Sequence, residues 1–295
     1  MLLEEILEEL EGVGGGRVRE AAVGLGYTVV VMDDGSAGLS HTPTEDAAHE
    51  CENNPLAGRI AGMGWRDVAS LALGDHPILS AIGVAALNAA ASRLGIELER
   101  GDLMDHLEVG RGDKACMIGY IPQIARRMRE MGAEVLVMDF RPVDDPGYRP
   151  WWASEILLRR CDVVVMSGAT LVNKTIDRLL ELSSGARARA IVGPSTVIAP
   201  TAFRRAGVDV LAGTRVRDPE GVLRIVKEGG GTRTMYSTGA AEKVVAVLGR
   251  RAGTSRATPR GAPATTSGRG AKTPSPSDRR ASGRGPGIRA RRRAP

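Results

Sequence analysis

Short apolar runs rich in β-branched residues alternate with amphipathic segments of helical length between residues 114 and 212. This alternation favours parallel βαβ units, because parallel strands need a long crossover connection between them. The runs are apolar on both faces, which is typical of a sheet covered by helices on both sides. The sequence therefore predicts a doubly wound, Rossmann-like α/β domain over residues 111–250, with strands at 115–120, 134–140, 162–166, 190–193 and 208–211.

The same region contains several helix signals. The segments 123–131 and 173–182 have helical periodicity. Asp218, Pro219 and Glu220 follow the order of N-cap, N1 proline and first-turn acid, and the three glycines that begin at Gly229 end that helix. A last helix is predicted over residues 240–250.

The N-terminal part of the chain follows a different pattern. An acidic amphipathic helix precedes two β-prone stretches, 18–23 and 27–32, which flank a Gly-Leu-Gly turn and predict an antiparallel hairpin. Two helices follow at 65–73 and 77–94, and the second is apolar on nearly every face, so we expect it to be buried. Residues 1–110 are thus predicted to form a small α+β domain.

Residues 251–295 differ in composition from the rest of the chain. They hold eleven Arg, one Lys and one Asp, a net charge of +11, with seven Gly, six Pro and few apolar side chains. Since the whole chain carries +5, residues 1–250 carry −6. A segment of this composition cannot bury enough apolar surface to offset its conformational entropy, so we predict a disordered basic tail. It has no aromatic residues for stacking on bases, and we expect only weak binding of polyanions.

Deletion of residues 251–295 is expected to leave the thermal unfolding midpoint nearly unchanged, because the tail has little apolar surface to bury. The deletion should also abolish any salt-sensitive binding of nucleic acid, since it removes the arginines that neutralise phosphates. Calorimetry and a salt titration of binding to a DNA oligonucleotide check the two parts. A large loss of stability on truncation would show instead that the tail packs on the rest of the chain.

The sequence predicts neither export nor membrane insertion. The longest uncharged run, 77–92, has 16 residues, whereas a membrane-spanning helix needs about 20 apolar residues. The N-terminus is acidic, unlike that of a signal peptide. Cys51, Cys116 and Cys161 form no CxxC pair, so we expect neither a disulfide framework nor an all-cysteine zinc site. These features predict a cytoplasmic protein.

Ligands of an open parallel sheet bind outside the carboxyl ends of its strands. The first predicted strand leads into Gly119, Tyr120 and Pro122, but this loop lacks the GxGxxG pattern that cradles a pyrophosphate. Asp139 ends the next strand 20 residues after Gly119, which is near the spacing at which an acidic residue binds a ribose. Two interpretations stay open here: a nucleotide site, or a strand-end carboxylate paired with Arg141.

Two further strand ends carry loops rich in small and hydroxyl-bearing residues. One loop precedes a predicted helix, whose free amides favour an anion; alternatively, its asparagine merely caps that helix. The other has a proline that would direct two hydroxyl side chains into the same crevice. The candidate ligand-binding residues of the two loops are Gly168, Thr170, Asn173, Pro194, Ser195 and Thr196.

Candidate metal ligands are few. His49 and Cys51 lie with two glutamates in one loop, but no HxH, HxxxH or CxxC spacing fixes their geometry. They are either ligands of a divalent metal or part of an ordinary polar loop. His76 precedes Pro77 and is predicted to cap a helix. Asn88 is the polar residue of the buried helix, and it either finds partners within the core or faces the ligand site.

Five segments of the sequence resemble one prokaryotic family, described as the putative heavy-metal chelation domain. They are GVAALNA at 83–89, GYIP at 119–122, SGATLVNKTIDRLLEL at 167–182, VGPSTVIAP at 192–200 and AGTRVRDPEGVLRIVKEGGGT at 212–232. The resemblance spans about residues 1–249. The matching polar and loop positions are Asn88, Tyr120, Pro122, Thr170, Asn173, Pro194, Ser195 and Thr196.

The resemblance implies a domain similar to the enolase N-terminal domain joined to a Rossmann-like domain, with the functional site in the cleft between them. It also implies chelation of a heavy metal and a link to anaerobic cobalamin synthesis. This chain departs from the family in two places. The family often has a glutamate where Asp139 stands, and its early cysteine-containing stretch has no clear counterpart here.

Three functional hypotheses follow. The first is a protein that binds a divalent metal, or a small anionic, metal-chelating molecule, in the interdomain cleft. The second is a nucleotide-dependent enzyme that uses Asp139 and the crevice of the parallel sheet. The third, nucleic-acid binding, rests on the basic tail alone. The sequence leaves open whether the protein is an enzyme and whether it forms a homo-oligomer.

Overall fold

The second predicted domain contains most of the regular structure. A computed structural model of the 295-residue chain describes residues 1–13, 15–46 and 54–249. The predictions for His49, Cys51 and the basic tail therefore lie outside the described residues. All described residues fall within one compact unit, Met1–Thr254.

The N-terminal part consists of one helix, a three-stranded antiparallel sheet and a helical pair. The antiparallel sheet has the order β1-β2-β3, so the predicted hairpin is confirmed and extended by a third strand. The elements are α1 (Leu2–Leu10), β1 (Val18–Val23), β2 (Tyr27–Met32), β3 (Ala37–His41), α2 (Trp65–Ser70), a 3₁₀ turn (Leu71–Leu73) and α3 (Pro77–Ala91). His76 caps α3 as predicted, because its Nδ1 accepts a hydrogen bond from the Leu79 amide at 3.4 Å.

The rest of the chain forms an eight-stranded sheet. Its strands are β4 (Glu99–Arg100), β5 (Lys114–Ile118), β6 (Glu134–Asp139), β7 (Tyr148–Pro150), β8 (Val163–Ser167), β9 (Ala188–Val192), β10 (Val210–Val216) and β11 (Ala241–Val247). The helices are α4 (Pro122–Glu130), α5 (Ser154–Leu157), α6 (Ala169–Val172), α7 (Ile176–Leu182), α8 (Pro200–Arg205), α9 (Pro219–Lys227) and α10 (Thr232–Ser237). The order across the sheet is β4-β11-β10-β9-β8-β5-β6-β7.

The six strands from β5 to β10 pair in parallel, which confirms the predicted α/β class. Numbered one to six in chain order, they lie in the order 3-2-1-4-5-6, the order of doubly wound sheets. The direction of winding reverses between β5 and β8. Ligands of such sheets bind at this reversal, outside the carboxyl ends of the strands.

Two predicted elements differ in the structure. The last helix, expected over 240–250, is instead the strand β11, which pairs antiparallel with β10 along its whole length. Val244 and Val245 are β-branched and buried, and packing against β10 outweighs the weak helical periodicity of this segment. The helix expected over 173–182 is broken: Asn173 follows α6, and α7 begins only at Ile176.

Helix α1 joins the two predicted domains. Asp177 of α7 accepts a hydrogen bond from the Leu2 amide at 2.9 Å, and Glu9 accepts from the amides of Thr201 and Ala202 at the start of α8. The apolar face of α1 enters the same core cluster as α3, β8 and α8. Strand β4, near the end of the first predicted domain, pairs with β11 and so adds a strand to the eight-stranded sheet.

Strand β3 lies directly on α3 because position 38 is glycine. A Cβ atom on Gly38 would collide with the Ala85 carbonyl oxygen and the Ala89 amide nitrogen. Ser40 extends the contact, since its hydroxyl donates to the Ala81 carbonyl oxygen at 2.6 Å. This close approach determines where the end of β3 lies.

Cys116 of β5 and Cys161, which precedes β8, form a disulfide with a Cα–Cα distance of 5.9 Å. The sequence led us to expect no disulfide framework, so this pairing is a correction. The two cysteines are 45 residues apart and come together only because β5 and β8 are neighbours in the sheet.

Within the described ranges, no helix is long and apolar enough to span a bilayer. Helix α3, the buried apolar helix, has 15 residues.

Candidate functional site

The end of β3 meets the loop that follows β9. The His41 amide donates a hydrogen bond to the Ser195 hydroxyl oxygen at 2.7 Å. Asn88 of α3 lies at the same junction, where its side-chain amide donates to the carbonyl oxygens of Leu39 at 2.8 Å and Pro194 at 3.2 Å. We call this junction, formed by His41, Asn88, Gly168, Ser195 and Thr196, the β3–β9 cleft.

Ser195 and Thr196 are almost completely buried in the cleft, with exposures of 2% and 1%. The Ser195 hydroxyl accepts from His41, which leaves its own hydrogen to be donated. The Thr196 hydroxyl has no hydrogen-bond partner among the described residues. A Cβ atom on Gly168 would lie 2.9 Å from that hydroxyl, so the glycine allows the two loops to approach closely. A buried hydroxyl without a partner is costly, and it marks a place where a ligand can bind.

His41 contacts Ser195 through its backbone amide, whereas its ring is hydrogen-bonded to the Gly26 backbone. Burial lowers the pKa of His41 below its ordinary value, although Glu45 raises it by favouring the charged ring. This shift favours the neutral ring over the charged one.

An ion pair lies close to the His41 side chain. Arg141, after β6, binds Glu45, four residues after His41, with an Nη2–Oε2 distance of 2.5 Å. The Asp139 carboxylate accepts hydrogen bonds from two backbone amides, that of Tyr120 at 2.8 Å and that of Arg141 at 3.0 Å. Its partner in Arg141 is thus the backbone amide and not the guanidinium. Both oxygens of Asp139 thus hold loops in place, an arrangement that favours the structural interpretation over a ribose contact.

Other candidate residues form bonds within their own loops. The Thr170 hydroxyl donates to the Ser167 carbonyl oxygen at 2.7 Å, and the Asn173 Oδ1 accepts from the Thr175 hydroxyl at 2.7 Å. Gly119 turns with a φ of 82° beside Ser167, and Pro122 begins α4. The Asn173 side chain therefore holds the turn before α7, and the helix begins at Ile176 rather than at residue 173.

No group of three or more His, Cys, Asp or Glu side chains in residues 1–13, 15–46 and 54–249 is arranged to hold a metal ion. The cleft instead offers hydroxyls and backbone groups. These donors suit an oxygen-rich ligand better than a bare soft metal ion.

Lys174 is a residue that the sequence analysis did not select. It has a φ of 64°, in the left-handed region that non-glycine residues rarely adopt. Its ammonium donates to the Ala72 carbonyl oxygen at 2.5 Å and to the Ser80 hydroxyl. Ser80 in turn donates to the Val172 carbonyl oxygen at 2.8 Å, so this network joins α3 to the loop after β8.

Two family models match the chain, and both have the description "Putative heavy-metal chelation". The DUF4213 model matches residues 4–91, and the DUF364 model matches residues 102–245. The chain belongs to this heavy-metal chelation family. The resemblance found in the sequence is therefore confirmed at the level of the family.

Solved structures of the family share the fold. A DUF364 protein of unknown function from Desulfitobacterium hafniense is 26% identical, with a TM-score of 0.70 over 83% of this chain and 98% of its own. Another from Pyrococcus horikoshii is 23% identical, with a TM-score of 0.72 over 84% of this chain and 100% of its own. An uncharacterised protein of Methanocaldococcus jannaschii is 34% identical over 71 residues, 24% of this chain but only 27% of that relative.

His41 and Lys174 are the functional candidates that the sequence analysis missed. The signal for His41 was weak. Ala37, Leu39 and His41 alternate with Gly38 and Ser40, and this period of two predicts a strand that ends at the histidine. No local signal identifies Lys174, because its burial depends on contacts with a segment about 100 residues earlier.

The pH dependence of stability should reveal Lys174. Burial lowers its pKa to about 8 from an ordinary 10.5, so between these values the unfolded chain binds more protons than the folded one. The free energy of unfolding should therefore gain a positive contribution from Lys174 as the pH rises through this interval, by about 1 kcal/mol once solvent screening is included.

Urea titrations at pH 7.5 and 9.5 measure this contribution as the difference between the parent and Lys174→Met. Lys174→Arg is the matched control, since it keeps a cation that does not titrate in this range. If the stability difference between the parent and each of the two variants is the same at pH 7.5 and pH 9.5, the lowered pKa of Lys174 is contradicted.

Proposed function

We propose that this protein binds a small, oxygen-rich anionic molecule that chelates a metal ion, and that the molecule occupies the β3–β9 cleft. The proposal refines the heavy-metal chelation that describes the family. In it, the ligand supplies most of the metal's donor atoms, and the protein recognises the ligand's oxygens through hydrogen bonds.

The buried, unpartnered Thr196 hydroxyl is the observation that carries this proposal. Ser195 adds a second hydroxyl, whose oxygen already accepts a hydrogen bond from the His41 backbone amide. A carboxylate oxygen accepts hydrogen bonds from hydroxyls, so it would satisfy Thr196 and use the free hydrogen of Ser195. His49 and Cys51, eight and ten residues after His41, stay the predicted protein ligands of the metal.

Thr196→Val separates binding from folding. It removes a hydroxyl that has no partner, so the free energy of unfolding should stay the same or rise by up to about 1 kcal/mol. The same variant should lose the stabilisation that a bound ligand provides, which is about 2.7 kcal/mol at a ligand concentration one hundred times Kd. Thermal shift with Co²⁺-citrate, citrate alone and Co²⁺ alone provides the measurement.

Thr170→Val is the matched control for this substitution. The Thr170 hydroxyl has a partner, so the control should lose about 1 kcal/mol of stability yet respond to Co²⁺-citrate as the parent does. An equal response of Thr196→Val and the parent would place the ligand elsewhere. A response to Co²⁺ alone that is lost in His49→Ala and Cys51→Ser would show direct chelation by the protein instead.

A further inference from the structure

Three large aromatic side chains are exposed near the ends of two neighbouring strands of the sheet. Phe140, Trp151 and Trp152 are 56%, 49% and 55% exposed. The chain has only two Phe and three Trp, and the other two, Trp65 and Phe203, are buried. Three of these five rings are therefore exposed close together in the sequence. A cluster of exposed aromatic side chains commonly marks a binding surface.

Phe140 and Trp151 are held as a stacked pair, with ring centroids 5.2 Å apart and an interplanar angle of 26°. Phe140 directly follows β6 and Trp151 directly follows β7. Both rings thus lie at carboxyl ends of parallel strands, where ligands of doubly wound sheets bind. Each ring of the pair covers only one face of the other. A third ring can therefore stack on an opposite face.

The backbone that carries the pair is held by polar contacts. The Asp139 carboxylate accepts from the amide of Tyr120, in the loop after β5, and from that of Arg141, just after β6. Asp145, in the loop before β7, binds Arg129 of α4 through two hydrogen bonds and accepts from the Gly147 amide at 2.8 Å. Because the backbone that carries the rings is already ordered, little conformational entropy is lost when a ligand binds, and this favours affinity.

The edge of the sheet is poorly suited to pairing with a second copy of the chain. Strand β7 is the edge strand beside the pair, has only three residues and ends in Pro150, which has no amide hydrogen. A flat small molecule therefore fits this surface better than another β-strand does.

We propose that the Phe140–Trp151 pair is a stacking site for a planar aromatic ring of nucleobase size. The ring lies against the exposed face of the pair, and stacking on aromatic side chains supplies the affinity. This inference does not depend on the ligand of the β3–β9 cleft, which is recognised through hydroxyl groups.

Equilibrium dialysis with adenosine monophosphate and flavin mononucleotide tests the site, with ribose 5-phosphate as the probe that lacks a ring. Phe140→Ala and Trp151→Ala should each weaken binding of the ring-bearing probes by about tenfold, which corresponds to about 1.4 kcal/mol. Trp152→Ala is the matched control, because it removes an equally exposed ring from outside the stacked pair. Trp151→Phe keeps a ring face and should retain most of the affinity.

Three results would overturn the proposal. The first is that neither ring-bearing probe binds the parent at millimolar concentration. The second is that Trp152→Ala weakens binding as much as Trp151→Ala, which would indicate a non-specific apolar surface. The third is a dimer in sedimentation that Phe140→Ala dissociates, which would identify the pair as a contact between two copies of the chain.

Discussion

Gly38→Ala is expected to destabilise this protein by at least about 3 kcal/mol, although it adds only one methyl group. The added carbon would collide with the backbone of α3 at Ala85 and Ala89, and backbone atoms inside a packed helix cannot move aside as a flexible side chain can. Strand β3 would have to separate from α3, which also breaks the hydrogen bond from Asn88 to Leu39. Urea denaturation of the two proteins measures the loss.

Gly26→Ala is the matched control in the same antiparallel sheet. No atom lies within 4 Å of a Cβ placed on Gly26, so this variant should remain within about 1 kcal/mol of the parent. A Gly38→Ala variant as stable as Gly26→Ala would mean that β3 does not rest on α3. The position of His41 beside Ser195 would then lose its structural basis.

Asn88→Asp is expected to cost about 2 kcal/mol or more at pH 7 while changing the shape of the side chain very little. The Asn88 amide donates to two carbonyl oxygens, whereas a carboxylate in its place can only accept and would be repelled by both. The substitution therefore acts on the contact that joins α3 and β3 to the loop after β9.

The pH dependence of this loss identifies its cause. The two carbonyl oxygens disfavour the charged form of the new carboxyl group, so its pKa in the folded state should lie above the unfolded value of about 3.9. The penalty is then absent below the unfolded pKa and grows as the pH rises through the folded pKa. Unfolding measured from pH 4 to pH 7 should show a stability deficit that widens with pH.

Asn88→Ala is the control for this pH series. It removes both donated hydrogen bonds but adds no titrating group, so its stability deficit should not change with pH. A deficit of Asn88→Asp that is equally independent of pH would indicate that the side chain moves to solvent. In that case Asn88 would not join the two sides of the cleft.

Much of the local structure follows from short-range signals. The Asp218-Pro219-Glu220 start of α9 is realised, with the Asp218 carboxylate accepting from the Gly221 amide at 3.0 Å. The hairpin, the buried α3 and the alternation of strands and helices also appear where the periodicity predicts them. By contrast, β11 was predicted as a helix, because a short apolar segment carries too little periodicity to distinguish a strand from a helix.

The candidate site was only partly accessible to the sequence analysis. Ser195 and Thr196 were selected because they follow a strand end, where ligands of parallel sheets bind, and Asn88 because it is the polar residue of an apolar helix. The structure places all three at one junction. Asp139, Thr170 and Asn173 met the same criteria, yet their side chains bond to neighbouring backbone or hydroxyl groups. A sequence pattern shows that a polar group stands at a strand end, but not whether local partners already satisfy it.

By itself, the sequence determined most of the succession of helices and strands and the parallel sheet, because apolar periodicity and helix caps act over a few residues. Tertiary structure alone decided that β3 lies on α3, that His41 meets Ser195, and that burial lowers the pKa of Lys174. It also decided that the rings of Phe140 and Trp151 stack. The physical reason is one of distance along the chain. Neighbouring residues in the sequence set which face of a helix or strand is buried, whereas the partner of that face depends on packing between segments that lie far apart in the chain.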